Sequence, residues 1–572
     1  MGKRITWQTP GRDLDDEEVR YKLGPSWFCD ITHSWPPQTP MGAYYWNKYC
    51  CSGSNYAYEH IIHVPHMTGC DKRNLDGATY RRIFIVNDEE EIKVRKKKFK
   101  ENMQPFLKDF AGWWKTAADD MDALYAPIKT FDHDKASLLE LREHLFDLQY
   151  IGRRLWEYHF VGMVSVFWGW VWFEEKCMEL LGIDDKSAEF MKLVVGYDSK
   201  LFEVDKELWR MSREAFRLGL KDVFMNNAPA DVVEKLKSHP RGDQWLELLN
   251  LFLQKHGWRM QHMHDFYSPT WIEDPTPAIA AIRSFFKDES GEWKLDTIRP
   301  KLAKEREEAV AEVMKRIPES EKEEFQGLLR LSQHAGTFSE EHTYWCEMAG
   351  YAVVRYGFMG IGRRFVEAGT IDQADDIFFL TPDEIDLAIL VPDRFDLRYI
   401  IEPRKEVRNN RTYESIVPVL TTRASIAEAS ALDVLPSQDA VGIKVLGFEV
   451  PSVNPELKAD MYGLFGAPGV VEGTARVVNR NDDLDKLVPG EIMVSAKISS
   501  SWSPIFALLG GAVTDRSGSL GHTGCLCREY NIPAVVNTVN ENREFVSAAA
   551  MIKTGQRIRV DGTNHAVYIL DK

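Results

Sequence analysis

The segment from Gly510 to Val536 constrains this chain more than any other feature, because it places one histidine in a glycine-rich turn between two apolar runs. His522 follows the turn at the predicted start of a short helix, and the second apolar run begins at Ile532. Glycines let backbone N–H groups approach a phosphoryl group, and a helix N-terminus favours its negative charge. Neutral imidazole is a nitrogen nucleophile near pH 7, since its reference pKa is about 6.5. The pattern therefore predicts that His522 carries a phosphoryl group.

This segment resembles the mobile phosphohistidine domain of the phosphoenolpyruvate-utilising enzymes. The residues that match the family signature in register are Thr514, Asp515, Gly518, His522, Arg528, Glu529, Ile532 and Pro533. Residues 466–478, 489–494 and 560–562 resemble other strands of the same domain, so the resemblance covers residues 456–572 nearly end to end. It implies an α/β swivel domain in which His522 forms the phosphohistidine intermediate and Thr514, Gly518 and Arg528 shape its loop.

Four positions depart from the signature. Gly521 replaces the usual serine before the histidine, Ser517 replaces a glycine, and Cys525 and Cys527 stand where small residues are usual. The first departure removes a hydroxyl group that would orient the imidazole. The hydrogen bonding around His522 therefore differs from the family pattern, whereas its nucleophilic role is retained.

Length and composition limit the remaining possibilities. A chain of 572 residues is too long for one core, which predicts two or three domains. Its net charge of −16 argues against nucleic acid and against an anionic membrane surface as partners. Eight cysteines in so long a chain indicate a reducing cytosol and no disulfide framework, and the first residues contain no apolar signal core. We therefore expect a cytoplasmic protein.

The predicted fold class is a multidomain chain with a large, mostly α-helical domain followed by the α/β swivel domain. Apolar residues recur at helical spacing in segments such as Ser137–Leu148, whereas β-branched strands and glycine turns dominate after about residue 455. We assign residues 1–400 to an aromatic-rich acceptor-binding domain, 401–455 to a linker or edge segment, and 456–572 to the swivel domain.

One apolar stretch, His159–Phe173, has to be distinguished from a membrane span. It is too short, because a span needs about 20 apolar residues. A helix buried on all sides accounts for it better. Its aromatic side chains serve either core packing or the wall of a pocket for a flat ligand.

The middle of the chain carries weaker matches. Residues 252–275 resemble a block shared by rifampin phosphotransferase and phenylphosphate synthase, with Trp258 where that block often has histidine. Residues 339–347 resemble the E-x-H helix of the phenylphosphate synthase type. Residues 369–384 match a further family block that is typical of a structural junction.

Phosphorylating a phenol or alcohol needs a base for the hydroxyl proton and cations for the phosphoryl group. We predict Glu341 and His342 as a pair with the imidazole as base, and Arg259 as a bidentate clamp. The candidate pocket residues are Trp258, His264, Asp265 and His33. The alternative is that these residues only make hydrogen bonds between helices. We expect no metal site, because His262, His264 and Asp265 on a helix would not point in one direction.

We find no ATP-grasp pattern, Walker loop or dinucleotide fingerprint in the sequence, and no pyruvate-binding barrel after the swivel domain. Phenylphosphate synthase divides ATP activation and phosphohistidine transfer between subunits, and the resemblance to it implies the same arrangement here. A separate ATP-grasp subunit would bind ATP and Mg²⁺ and phosphorylate His522. The swivel domain would deliver the phosphoryl group to a small phenol, releasing aryl phosphate, AMP and phosphate. The alternatives are a rifamycin-like antibiotic as acceptor, or a non-catalytic phosphocarrier or regulatory protein.

Overall fold

The computed structural model describes most of the chain. The described residues are 26–29, 37–75, 77–184, 186–262, 264–412, 419–421, 442, 444–445, 447, 449–479, 481–498 and 500–571. His33, a candidate pocket residue, lies outside them. The chain is mostly helical up to residue 410 and strand-rich after residue 460, as the sequence predicts.

Helices form the body of the protein. The α-helices are α1 (Pro40–Tyr45), α2 (Cys51–Asn55), α3 (Glu89–Lys129), α4 (Leu138–Leu181), α5 (Ala188–Val194), α6 (Lys200–Arg217), α7 (Lys221–Met225), α8 (Pro229–Lys237), α9 (Gly242–His256), α10 (Thr276–Phe285), α11 (Lys294–Arg316), α12 (Lys322–Gln333), α13 (Ala335–His342), α14 (Tyr351–Glu367), α15 (Pro382–Ala388) and α16 (Arg398–Asn410). Segments Trp46–Cys50, Tyr56–Ile61 and Thr343–Gly350 are π-helical. Short 3₁₀ turns cover Glu319–Glu321, Ala374–Phe379, Pro392–Arg394, Pro455–Leu457, Asn481–Lys486 and Ser500–Leu508.

Helix α4 is the centre of the body. It begins with a capping box, in which Ser137 and Glu140 satisfy each other's backbone N–H groups, and it ends at Gly182 with a left-handed φ of 71°. Phe167 and Phe173, within the apolar stretch 159–173, are completely buried. The predicted buried helix is therefore confirmed. In the part of the chain that the structure describes, none of the helices combines the length and apolarity that a membrane crossing requires.

A small sheet packs beside the helices. Strands β1 (Ser26–Cys29), β2 (Met67–Leu75), β3 (Ala78–Ile85) and β4 (Val419–Thr421) pair in the order β2-β3-β1-β4. Strand β4, at the edge of this sheet, and most of α16 fall within residues 401–455, which we predicted to be a linker or edge segment. Arg404 of α16 forms an ion pair of 2.7 Å with Glu384. Residues 401–410 therefore belong to the helical body, and the division into domains stays a prediction.

The C-terminal strands close into a barrel. They are β5 (Met461–Ala467), β6 (Val470–Val477), β7 (Ile492–Ser495), β8 (Gly511–Thr514), β9 (Ala534–Val539), β10 (Arg557–Asp561) and β11 (Ala566–Ile569), in the order β10-β11-β5-β9-β8-β7-β6. Pairs β6–β7, β7–β8 and β8–β9 are parallel. Helix α17 (His522–Glu529) connects β8 to β9, and α18 (Ala548–Met551) follows. A parallel pair requires such a crossover, so His522 lies beyond the carboxyl end of β8.

The barrel packs against the helical body through a shared apolar cluster. Its members include Phe202, Tyr344 and Met348 from the body and Phe506, Leu526 and Tyr530 from the barrel. The Phe202 and Tyr530 rings meet edge to face at 5.6 Å. The hydrogen bonds that cross the same interface include one from Ser503 to Asp205 (3.0 Å) and one from Lys287 to the Leu487 carbonyl (2.9 Å). This interface places the His522 loop against helix α13.

Candidate active site

His522 is the first residue of α17, and its loop is held by backbone contacts. Gly521 is the N-cap, with φ −71° and ψ 166°, and it offers no side chain to the helix. The Gly518 and Leu520 N–H groups donate to the carbonyls of Val445 and Lys444, at 2.9 and 2.6 Å. A Cβ atom on Gly518 would lie 2.2 Å from the Lys444 carbonyl oxygen. Glycine is therefore required at 518 because another backbone segment crosses it.

Two departures from the family signature compensate each other. A Cβ atom on Gly521 would lie 2.3 Å from Oγ of Ser517 and 2.9 Å from the Val445 carbonyl oxygen. The Ser517 hydroxyl thus occupies the space that a serine side chain at 521 would need. With a glycine at 517 and a serine at 521, the serine side chain at 521 would fill that space instead.

The other predicted loop residues, Arg528 and Thr514, lie next to the loop in different surroundings. Arg528 donates from one nitrogen to the carbonyls of Gly466 and Ser519, both at 2.7 Å, and so ties the loop to β5. The Thr514 hydroxyl is buried at the end of β8, and its oxygen makes no hydrogen bond to the residues that the structure describes. Arg528 therefore stabilises the loop through hydrogen bonds, whereas the Thr514 hydroxyl group has no hydrogen-bond partner among the described residues.

The residue that contacts His522 is Glu340 of α13. Its Oε1 lies 3.0 Å from His522 Nδ1, and it is 2% exposed, whereas the imidazole side chain keeps 21% of its surface accessible. Burial acts to lower the pKa of His522, but the carboxylates of Glu340 and Glu347 outweigh it, so that the pKa is raised above its ordinary value. Because Nδ1–H donates to Glu340, the lone pair of the neutral imidazole lies on Nε2.

Glu341 and His342 do not form the pair that the sequence suggests. Glu341 accepts a 2.6 Å hydrogen bond from the Trp114 indole, and burial raises its pKa. His342 donates from Nδ1 to the Phe338 carbonyl at 2.6 Å, and burial lowers its pKa to about 3. The prediction is corrected here: the two side chains have separate partners, and the carboxylate beside the phosphohistidine candidate belongs to Glu340.

His342 instead joins a buried cluster around Glu347. Oε1 of Glu347 lies 2.9 Å from His159 Nε2 and 3.4 Å from His264 Nε2, and the His159 and His342 rings meet edge to face at 4.6 Å. Burial acts to raise the pKa of Glu347, but His264 and His159 together hold it well below its ordinary value. The cluster therefore contains a buried carboxylate that also raises the pKa of His522.

The candidate pocket residue His264 lies on an irregular segment and not on a helix. Its φ is +62°, and its ring is stacked with that of Trp156 at 5.7 Å and tilted against that of Trp46 at 4.5 Å. Residues 257–262 and 264–272 form an irregular segment with a bridge between Met260 and Thr270. Tertiary contacts therefore place His264 beside Glu347, which helical spacing does not predict.

Arg259 is a completely buried cation. Its guanidinium lies 4.4 Å from the centre of the Trp271 ring, and none of its nitrogens finds a hydrogen-bond partner within the described ranges. Asp205 is the nearby acid: burial raises its pKa to about 7, and Arg259 opposes that rise. Asp205 accepts a hydrogen bond from Ser503 at 3.0 Å, which places this acid at the interface with the barrel. A buried guanidinium without partners is costly, and an anionic ligand would satisfy it.

Asp265 and Trp258 hold the helical body together. The Asp265 carboxylate accepts hydrogen bonds from Ser268 Oγ (2.8 Å) and from Arg408 of α16 (3.0 Å). The Trp258 ring lies against Tyr356 at 5.5 Å. These contacts favour the structural alternative for both residues.

A small cavity lies beside Glu340, between the helical body and the barrel. Its lining residues are Tyr197, Phe202, Gly336, Thr337, Glu340, Cys525 and Glu529. Glu529 accepts hydrogen bonds from the N–H groups of Gly196 and Tyr197, at about 3.1 Å, and burial raises its pKa to about 7. The cavity thus adjoins a second carboxyl group of the interface.

Comparison with known proteins matches both parts of the chain. Residues 158–340 match the model of the rifampicin phosphotransferase fourth domain, and residues 487–565 match that of the PEP-utilising enzyme mobile domain. The first match contains His159, Arg259, His264 and Glu340, and the second contains His522.

Three curated relatives illustrate the similarity. Chondramide synthase of Chondromyces crocatus is 27% identical over 95% of this chain and 14% of its own length. The uncharacterized phosphotransferase YvkC of Bacillus subtilis is 24% identical over 68% of this chain and 44% of its own. Rifampicin phosphotransferase of Bacillus subtilis is 28% identical over 59% of this chain and 36% of its own. The chain spans less than half the length of each of these relatives. Residues 487–565 are thus similar to the mobile domain of the PEP-utilising enzymes, and residues 158–340 are similar to the fourth domain of the rifampicin phosphotransferases.

Proposed function

We propose that this chain is a phosphotransferase that carries a phosphoryl group on His522 and passes it to a hydroxyl group of a small acceptor. The observation that carries the proposal is the 3.0 Å contact between His522 Nδ1 and Glu340 Oε1 at the N-terminus of α17. This contact fixes Nδ1 as a donor and leaves Nε2 as the nitrogen that can be bonded to phosphorus.

The chemistry takes place in two steps at Nε2. In the first, the Nε2 lone pair attacks phosphorus, the Nε2–P bond forms, and the bond to the leaving group of the donor breaks. In the second, the acceptor oxygen attacks phosphorus and the Nε2–P bond breaks, with the acceptor proton passing to a base. Glu340 keeps Nδ1 protonated in the second step, so neutral imidazole departs instead of the much poorer imidazolate leaving group.

Arg259 supports the charge of the transferring group. Phosphoryl transfer spreads negative charge over the equatorial oxygens, and a guanidinium binds two of them at once. None of the three guanidinium nitrogens of Arg259 has a hydrogen-bond partner among the residues described, and the side chain is completely buried. It is therefore the group best prepared to accept a phosphoryl oxygen.

The finer proposal follows the sequence resemblance. An ATP-grasp subunit binds ATP and Mg²⁺ and phosphorylates His522, and the barrel then swings to the helical body and delivers the phosphoryl group to a phenol. AMP and phosphate are released, as expected for a dikinase. The aromatic surroundings of the cluster, with Trp46, Trp156 and Tyr351 around His264, support a flat acceptor.

A rifamycin-like acceptor is the second candidate. It is favoured by the match of residues 158–340 to the rifampicin phosphotransferase fourth domain. The steps at His522 are the same for either acceptor, so only the assay panel separates them.

The test combines the chain with an ATP-grasp subunit, ATP, Mg²⁺ and a panel of phenols and rifamycins. We expect AMP, phosphate and one phosphorylated acceptor with the wild type and with His60→Ala, a surface control, but none with His522→Ala. Phosphorus NMR of the trapped intermediate should show substitution at Nε2. Equal product from His522→Ala would refute the proposal, and substitution at Nδ1 would refute the role of Glu340.

A further inference from the structure

We propose that His159, His342 and Glu347 form a binding site for a divalent transition metal, and that their donor set suits Zn²⁺. One ligand atom from each residue lies within 4.8 Å of the others, and all three residues are buried. Two imidazoles and one carboxylate are the ligands of zinc sites that keep an open coordination position. The site is distinct from the phosphoryl-carrying nitrogen of His522.

The π-helical turns after α13 bring two of the ligands together. His342 and Glu347 are five residues apart, and Thr343–Gly350 is π-helical. In an α-helix of 3.6 residues per turn, positions i and i+5 point well apart. In a π-helix, whose hydrogen bonds run from i to i+5, they lie about one turn apart on the same side. The irregular turns therefore place both side chains on one site, where α4 supplies His159.

The histidine ligand of α13 is already oriented. His342 Nδ1 donates to the Phe338 carbonyl at 2.6 Å, which leaves Nε2 as the atom available to a metal. Metal-binding histidines usually donate their other ring N–H to a carbonyl or carboxylate, which fixes the tautomer and the ring orientation. The hydrogen bond thus matches the second contact that such a ligand needs.

The burial of the cluster also suits a cation. His159, His342 and Glu347 are each 4% exposed. A buried carboxyl group that is ionised needs compensation by positive charge. A bound divalent ion supplies that charge directly.

The position of the site suggests its use, and this part of the inference depends on the proposed function. Glu340, which contacts His522 at 3.0 Å, and the ligand His342 both lie on α13, so the cluster borders the phosphoryl carrier. An acceptor hydroxyl on the open position would lose its proton more easily, since a bound metal lowers the pKa of an oxygen ligand. The metal site thus lies on the acceptor side of the reaction.

The experiment measures metal directly on the full chain. After treatment with a chelator, the chain is titrated with Zn²⁺, Mn²⁺ and Mg²⁺, and bound metal is counted by mass spectrometry. We expect one Zn²⁺ per chain and an increased melting temperature. Co²⁺ in place of Zn²⁺ should give visible absorption bands from the site.

Matched variants locate the ion. Glu347→Gln and His342→Ala should weaken Zn²⁺ binding by more than the roughly 10–100-fold that loss of an outer-shell partner costs. A second group of possible ligands, Glu203, Glu207 and His256, provides the control, and Glu207→Gln should leave the affinity unchanged. If His342→Ala does not fold, Glu347→Gln, which preserves volume, decides the question.

The outcomes separate this inference from the proposed function. Absence of Zn²⁺ binding, or equal binding by wild type and Glu347→Gln, would overturn the metal site even where phosphotransfer is observed. Zn²⁺ binding that is lost in Glu347→Gln would establish the site even where no acceptor is phosphorylated.

Discussion

Replacing Glu340 by glutamine isolates the charge that acts on His522. The glutamine keeps the size of the side chain and an oxygen acceptor near Nδ1, but it removes the negative charge from the 3.0 Å contact. Without that charge, less electrostatic attraction opposes the effect of burial on the pKa of the imidazole. The pKa of His522 should therefore fall in Glu340→Gln, since burial alone lowers a histidine pKa.

The size of the effect follows from the type of hydrogen bond. A bond to a charged group contributes about 1.5–3 kcal/mol and a neutral one about 0.5–1.5 kcal/mol, so the substitution removes about 1–1.5 kcal/mol. About 1.4 kcal/mol is a factor of ten in an equilibrium constant. At a pH below both pKa values, the neutral fraction of His522 should therefore rise roughly tenfold in the variant.

The assay is the pH dependence of His522 modification by diethyl pyrocarbonate, which reacts with neutral imidazole. Mass spectrometry of the peptide containing residue 522 gives the rate at each pH. The midpoint, and not the absolute rate, is compared, because looser docking would also change accessibility. Glu341→Gln is the matched control, since Glu341 pairs with Trp114 at 2.6 Å and should leave the midpoint unchanged. Identical midpoints in wild type and Glu340→Gln would refute our account of the site.

Three further predictions concern the interface, the loop and the buried cation. Burial at the interface raises the pKa values of Asp205 and Glu529 to about 7. Both carboxyl groups are therefore protonated more readily in the docked state, so docking is strongest at low pH and weakens by up to about tenfold per group and pH unit as the pH rises towards 7. Small-angle scattering should show expansion of the protein over that range, and the absence of expansion would contradict this direction. Gly521→Ser should lower the free energy of unfolding by about 1–3 kcal/mol, because its Cβ meets Ser517 Oγ at 2.3 Å and the Val445 carbonyl oxygen at 2.9 Å. Ser517→Gly in the same chain should restore part of the loss, since it removes the first of these contacts only; thermal melts that do not distinguish the single from the double variant would count against the contact. Arg259→Met should lower the rate of transfer from phospho-His522 by roughly 100-fold or more, because the buried guanidinium has no hydrogen-bond partner among the described residues and can bind a phosphoryl oxygen; unchanged transfer in this variant would show that the cation is structural.

The features that local pattern determines could be predicted. The strand, turn, helix and strand around His522 follow from glycine positions and apolar runs, and helix α4 follows from the helical spacing of apolar residues in Ser137–Leu148 and from its apolar stretch. Both were read without knowledge of tertiary contacts, because turn chemistry and helical spacing act over a few residues.

Glu340 could not be predicted from the same patterns. Ala335, Phe338 and His342 mark the buried stripe of α13 at helical spacing, which leaves Glu340 on the outer side. It is buried only because the barrel docks on that side, and adjacent Glu341 offers the same residue type. The choice between two neighbouring glutamates therefore depended on a contact far away in sequence.

The cluster around Glu347 escaped prediction for a different reason. A 3.6-residue period does not bring His342 and Glu347 together, and our sequence analysis did not predict the π-helical turns between them. His264 was considered as part of a helix, whereas it adopts a positive φ in a turn. Irregular backbone thus assembled the residues that regular spacing would have kept apart.

The contact between His522 and Glu340 also gives the proposed reaction a direction. A protonated imidazole cannot attack phosphorus, and the raised pKa makes His522 hold a proton more tightly against Glu340 than elsewhere. Once the phosphoryl group has left, the vacated Nε2 can take up a proton and is then unable to recover the group from the product. Reloading would require His522 to leave Glu340 and return to its ordinary pKa. The same carboxylate that assists delivery would therefore suppress the reverse reaction at that location.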